Sequence, residues 1–130
     1  MAEPVITRED LLEASKGMLQ KQIYVYFTTP VNGMGPVMEN LDAHLAFQVE
    51  LEKKGVMFGA GPHWTEDEKR WEGDGMVVIR AGSLAEAREI AASDPMHSSG
   101  ARSFTVRPWL MNESTVTIKI SYSDGKREVL

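Results

Sequence analysis

Residues 36–54 read PVMENLDAHLAFQVELEKK, and their spacing predicts one long helix with a histidine on its packed face. Val37, Leu41, Leu45 and Gln48 recur at helical intervals, and Leu41, His44, Leu45 and Leu51 share one side of the cylinder. Pro36 suits a helix start, Lys53-Lys54 suit a last turn, and Gly55 stops the run. His44 therefore places a polar, titratable ring in the stripe that faces the core. Such a ring is either a buried histidine satisfied by a partner or the working group of a site.

Working outward, residues 22–28 alternate as a strand: Ile23, Val25 and Phe27 against Tyr24, Tyr26 and Thr28. Residues 30–36 (PVNGMGP) form a loop by their Gly and Pro content. After the helix, residues 56–62 (VMFGAGP) read as a glycine-broken strand, where a bulge or a close backbone approach is expected. A charged connector, residues 63–74 (HWTEDEKRWEGD), carries Trp64 and Trp71 near its ends. Residues 75–80 (GMVVIR) make a strand apolar on both faces, and so a central one. Ser83 and Glu86 then have the spacing of a capping box, and the helix they open stops at Asp94-Pro95. Residues 96–102 read as a loop, and residues 104–109 (FTVRPW) as a last strand whose end Pro108 puts at an edge or exit.

This order, strand–helix–strand–strand–helix–strand, is the α+β, ferredoxin-like βαββαβ arrangement, expected over residues 22–112. Thr7 caps a short helix in an N-terminal extension, residues 1–21, ending near Gly17. Residues 113–130 alternate and carry Asp124-Gly125, a two-residue turn signal, and so form a C-terminal β-hairpin extension. Tracing the connections brings the start of the first helix, the end of the second strand and the end of the second helix to one rim. His44, Pro62-His63 and the segment Asp94, His97, Ser98, Ser99 all gather there. A carboxylate at a helix C-terminus faces the negative end of the helix dipole, so Asp94 is expected to seek a partner such as the His44 imidazole. Its alternative is a plain turn residue.

Composition excludes several classes. The 130 residues carry a net charge of −5, which disfavours nucleic acid as a partner. There is no cysteine, so thiol nucleophiles, disulfides and Cys-based metal sites are ruled out. The start MAEPVITRED lacks a basic and an apolar region, and no apolar run could span a bilayer, so a cytoplasmic protein with no membrane partner is expected. Gly55, Gly59 and Gly61 make no dinucleotide fingerprint, no P-loop occurs, and Ser98 and Ser99 lack a nucleophile elbow; no cofactor is expected.

Asp42-Ala43-His44-Leu45, Gly61-Pro62, Asp94-Pro95 and Val106-Arg107-Pro108-Trp109 together resemble the YciI-like family, over roughly residues 22–110. That family belongs to the dimeric α/β-barrel group and is related in fold to muconolactone isomerase. The resemblance implies a protomer whose sheet packs face to face on a second copy, and a His–Asp catalytic dyad falling on His44 and Asp94. It implies no metal. One branch is similar to dehydrochlorinases of chlorinated hydroxyquinols, and muconolactone isomerase moves a proton on a lactone. The added ends and the Trp64–Trp71 connector depart from the compact family pattern.

The expected activity is therefore that of a small-molecule lyase or isomerase. It would use His44 to shuttle a proton and Asp94 to hold the ring, on an oxygenated acid, lactone or (halo)hydroxyquinol of aromatic catabolism. Tyr24, Tyr26 and Trp64 are expected as aromatic walls, with Gly61, Pro62, His63, His97 and Ser98 completing the substrate site. A homodimer is also expected from patterning, because the sheet face assigned to Tyr24 and Tyr26 is too apolar for water. Two other readings stand beside this one: a metal site of His44, His63, His97 and Asp94, and a non-catalytic dimeric metabolite-binding protein.

Overall fold

The alternation in residues 22–28 becomes β1 (Lys21–Pro30), which in this computed structural model, describing residues 2–130, is an inner strand of a four-stranded sheet. The other strands are β2 (Met57–Pro62), β3 (Gly75–Ile79) and β4 (Arg102–Met111), in the order β2-β3-β1-β4. β3 pairs antiparallel with both β1 and β2, and the fold is α+β and ferredoxin-like. β4 lies at an edge, which tolerates the missing N–H of Pro108. The expected glycine irregularity in β2 is a register shift between Met57 and Gly59.

The two faces of β1 are the reverse of the expectation. Tyr24 and Tyr26 lie in the main core with Leu51, Val77, Ile79, Ala87 and Ala91, beneath the helices. The opposite face carries Phe27, paired with Met76, and these two are 42% and 37% exposed. Alternation showed that two faces exist but not which one the helices cover; aromatic bulk beneath two small alanines settled that packing.

The helix read over residues 36–54 is two helices, α1 and α2 of the central unit: α1 (Met34–Glu39) and α2 (Leu41–Lys53). The break falls at Asn40, whose Nδ2 donates to the Pro36 carbonyl at 2.8 Å while its own N–H reaches the same oxygen. A short amide that binds the preceding turn competes with the helical ladder. Pro36 sits third in α1, still inside the first turn where no N–H is needed. Val37, His44 and Leu51 are the buried positions of the pair, so His44 lies on the centre line of the packed stripe and Leu45 on its exposed margin.

α3 (Leu84–Ser93) starts at Ser83, whose Oγ accepts the Glu86 N–H at 3.1 Å. The Glu86 carboxylate accepts from Gly82 N–H instead of closing a box on Ser83. Ala87 and Ala91, both fully buried, let this helix sit close on the sheet. The loop expected over residues 96–102 holds a one-turn helix, α4 (Pro95–Ser98). Pro95 occupies its first position, which explains why Asp94-Pro95 both ends α3 and begins α4.

The connector between β2 and β3 is a stapled turn. Thr65 and Arg70 exchange backbone and side-chain hydrogen bonds, and Asp67 accepts from Thr65 Oγ1 and from Lys69 N–H. Gly73 has φ +89, and a Cβ there would stand 2.6 Å from both Met34 Sδ and Pro30 Cγ. At Gly75 a Cβ would stand 2.7 Å from the Gly61 carbonyl oxygen, in the β2–β3 ladder.

The chain divides into two compact units, and everything above lies in Gln22–Trp109 apart from the outer ends of β1 and β4. In the other unit, a short helix over Arg8–Ala14 opens with a capping box between Thr7 and Asp10. The tail forms β5 (Ile118–Ile120) paired antiparallel with β6 (Arg127–Val129). Its turn is wider than two residues: Ser121 N–H reaches the Lys126 carbonyl, and Gly125, at φ +70, donates back to Ser121. No helix among the described residues is long and apolar enough to cross a membrane.

Candidate active site

Asp94 is fully buried, a costly position for a carboxylate unless its lone pairs are used. Its Oδ1 accepts the Met96 N–H at 2.9 Å, capping α4, and both carboxylate oxygens face His44 Nδ1, at 2.9 and 2.8 Å. The expected dipole conflict at the end of α3 is thus offset, because Asp94 turns its side chain to the start of the next helix. His44, 7% exposed, donates from Nδ1 to the carboxylate, and its Nε2 has no hydrogen-bond partner among the described residues. A proton held on Nδ1 leaves Nε2 as the basic nitrogen.

His44 lines a cleft of about 260 Å³, room for one six-membered ring with substituents. Leu41, Leu45 and Gln48 of α2 form one side, and Gly61, Pro62, Gly75, Met76 and Val77 of the β2–β3 ladder another. The connector supplies Trp64, Trp71 and Asp74, and Thr28 and Arg102 stand at the ends of β1 and β4. Trp64 is 65% exposed at the mouth, while Trp71 is pinned by its Nε1–H to the Asp74 carbonyl at 2.8 Å.

Of the expected substrate-site residues, Gly61, Pro62 and Trp64 line this cleft. Tyr24 and Tyr26 do not: both are core residues, and burial pushes the Tyr26 phenol above its ordinary range. His97 lies behind the wall. Its Nδ1 donates to the Ala91 carbonyl at 2.6 Å and its Nε2 accepts from the Thr28 hydroxyl at 2.8 Å. Burial holds its ring below the usual histidine range, against the opposing pull of the Ala91 carbonyl and Asp94. Ser98 is exposed on α4 and does not line the cleft. His63 does not line the cleft with His44; its Nδ1 meets Asp74 Oδ2 at 3.3 Å, and it borders a second, more open hollow with Phe58 and Trp109. Each histidine has its own partner, and no group of three or more His, Asp or Glu side chains converges among the described residues, so the four-ligand metal reading has no geometric basis.

Sequence reading missed Thr28, Gln48, Trp71, Asp74 and Arg102. Arg102 had a signal: it shares the alternation of Phe104 and Val106, both of which pack on the core, so a charge falls on the buried parity. Beginning the last strand at residue 104 hid it.

The family of YCII-related domains has a model that matches residues 23–110. An uncharacterised protein of Bacillus subtilis (strain 168), YjpA, is 32% identical over 77 residues, covering 58% of this chain and 81% of that protein. Among solved structures, the 5-chloro-2-hydroxyhydroquinone dehydrochlorinase TftG of Burkholderia phenoliruptrix AC1100, in complex with 2,5-dihydroxybenzoquinone, superposes with a TM-score of 0.51 at 19% identity. The match covers 67% of this chain and 92% of that one, and it is a likeness of fold.

Proposed function

Since the chain belongs to the YCII-related domain family, we propose that its cleft performs cofactor-independent proton transfer on a small oxygenated organic molecule, as a lyase or isomerase of aromatic-compound catabolism. The carrying observation is the buried Asp94 carboxylate held on His44 Nδ1, with the ring on the cleft wall and its Nε2 without a partner among the described residues. The likeness in fold to a dehydrochlorinase supports a (halo)hydroxyquinol, a lactone or a related acid as the substrate class.

In this reaction His44 Nε2 takes a proton from a C–H bond beside a carbonyl. The C–H pair becomes the new C=C bond, and the carbonyl pair moves onto oxygen to give an enolate. The imidazolium, stabilised by Asp94, then returns the proton to a different carbon, which is isomerisation. In elimination the enolate pair reforms a double bond while halide leaves with its own pair, and His44 releases the proton to solvent. A positioned imidazole contributes about 10²- to 10⁴-fold to such steps.

The test is turnover of chlorinated hydroxyquinols and unsaturated lactones, with C–H exchange in D2O as a second readout. His44→Gln should lower kcat about 10²- to 10⁴-fold. Unchanged turnover would remove the assignment, and ligand binding without turnover in the unaltered protein would point to a non-catalytic binder.

The homodimer belongs to the same proposal, through the sheet face opposite the helices. Phe27, Phe58, Met76 and Trp109 are exposed on it, and Met76, Phe58 and Trp109 border one hollow. A second copy is the simplest cover for such a face.

A further inference from the structure

We propose that Arg102 makes this cleft an anion site: the ligand carries a carboxylate, or an ionised phenol or enol oxygen, that seats on the Arg102 guanidinium beside the His44 ring. The inference rests on the proposed reading of the cleft only for the chemistry that follows binding; recognition of the anion stands on Arg102 itself.

Arg102 is 6% exposed and lines the cleft. It forms no ion pair with a carboxylate among the described residues, and its buried Nε has no hydrogen-bond partner. Burying an unpaired guanidinium is among the costlier arrangements a small fold can hold. Arginine stays protonated, so the charge is not relieved by losing the proton. Burial does press it below its ordinary value, while Asp94 and Asp74, at a distance, favour the cation.

One favourable contact is visible: the Arg102 Cζ lies 5.9 Å from the Trp71 ring centre. Trp71 is itself fixed by the Asp74 carbonyl, so the guanidinium plane is pre-positioned without using up its donors. The fully buried Tyr26 hydroxyl nearby likewise has no partner among the described residues. A group held this way, charged, largely buried and unpaired among the described residues at the wall of a cavity, is arranged for a ligand that brings the missing negative charge. The rest of the wall is largely apolar, which suits a single ring bearing that charge. An anionic oxygen on Arg102 also places the developing enolate near a fixed positive charge.

Benzoate and its neutral counterpart benzamide test this on the full chain, by calorimetry and by quenching of tryptophan fluorescence. The unaltered protein should bind benzoate at least tenfold more tightly than benzamide. Arg102→Gln should remove that preference, and Arg102→Lys should keep part of it because the charge remains. Turnover by His44→Gln and benzoate binding by Arg102→Gln are read in separate assays, so loss of turnover at His44 and loss of binding at Arg102 report on separate ideas. Equal affinity for the two probes in the unaltered protein, which needs no variant to fold, overturns the proposal. So does a benzoate preference that survives in folded Arg102→Gln.

Discussion

At the scale of single residues, Asp94 holds two donors at once, the His44 ring and the Met96 N–H, and two substitutions separate them. Asp94→Ala removes a cap and leaves a buried imidazole N–H unpaired, which should cost about 2–5 kcal/mol of unfolding free energy. Asp94→Asn keeps the cap through its carbonyl oxygen but turns an amide N–H toward His44. Nδ1 must then accept, the ring proton moves to Nε2, and the base is lost although the fold remains. Its stability loss in urea should be less than half that of Asp94→Ala, while kcat falls about 10²- to 10⁴-fold. His97 gives a pH prediction of definite sign. Its folded-state pKa is lowered, first by burial, so the unfolded chain binds its proton more readily. The stability this neutral ring contributes is present above its ordinary value near 6.5 and is lost as pH falls below it. Thermal midpoints measured from pH 7 to pH 5 should therefore fall further for the unaltered protein than for His97→Gln, and parallel profiles would refute the assignment. Of these residues, His44 and Asp94 were legible because topology alone brings them to one rim. Arg102 was not, because its meaning depends on parity in a strand whose start the sequence leaves open.

At the scale of elements, strand order and helix count follow from periodicity, whereas boundaries follow from competition among single hydrogen bonds. The two helices meet at Asn40, whose side-chain amide and N–H share the Pro36 carbonyl, and Asp94 turns an expected loop into α4 by capping it. Periodicity carries neither effect, because each lies in one side chain choosing a backbone partner. The connector of residues 63–74 likewise read only as charged. Its position is fixed by Gly73, where positive φ and the neighbours Met34 and Pro30 both exclude a side chain. Gly73→Ala should cost about 1–3 kcal/mol in urea unfolding, through left-handed strain plus overpacking. Because Trp71 and Asp74 are anchored on either side of it, the same change should weaken benzoate binding as well. Gly35→Ala, in α1 where a Cβ meets open space, is the control and should not lower stability.

At the scale of the whole molecule, alternation predicted an apolar face in need of a cover, but named the wrong one. Parity alone is symmetric; only the small alanines of α3 show that the tyrosines belong beneath the helices. The face left over still carries four large apolar side chains, each between 37% and 43% exposed, three of them around an open hollow. A patch that size on a 130-residue chain favours association. A stable interface needs about 1,000 Å² or more of buried surface, and one face of a four-stranded sheet can supply it. Under two-fold symmetry each residue of the patch meets the same patch, so one charge placed at its middle is desolvated twice. Met76 is that middle position, paired with Phe27 in the sheet and bordering the hollow with Phe58 and Trp109. The unaltered protein should therefore sediment at twice its 14.5 kDa chain mass at micromolar concentration, and Met76→Lys should sediment as a single chain with its helices intact by circular dichroism. A monomeric unaltered protein, or a Met76→Lys variant that stays paired, would place the interface elsewhere and leave this face to another partner.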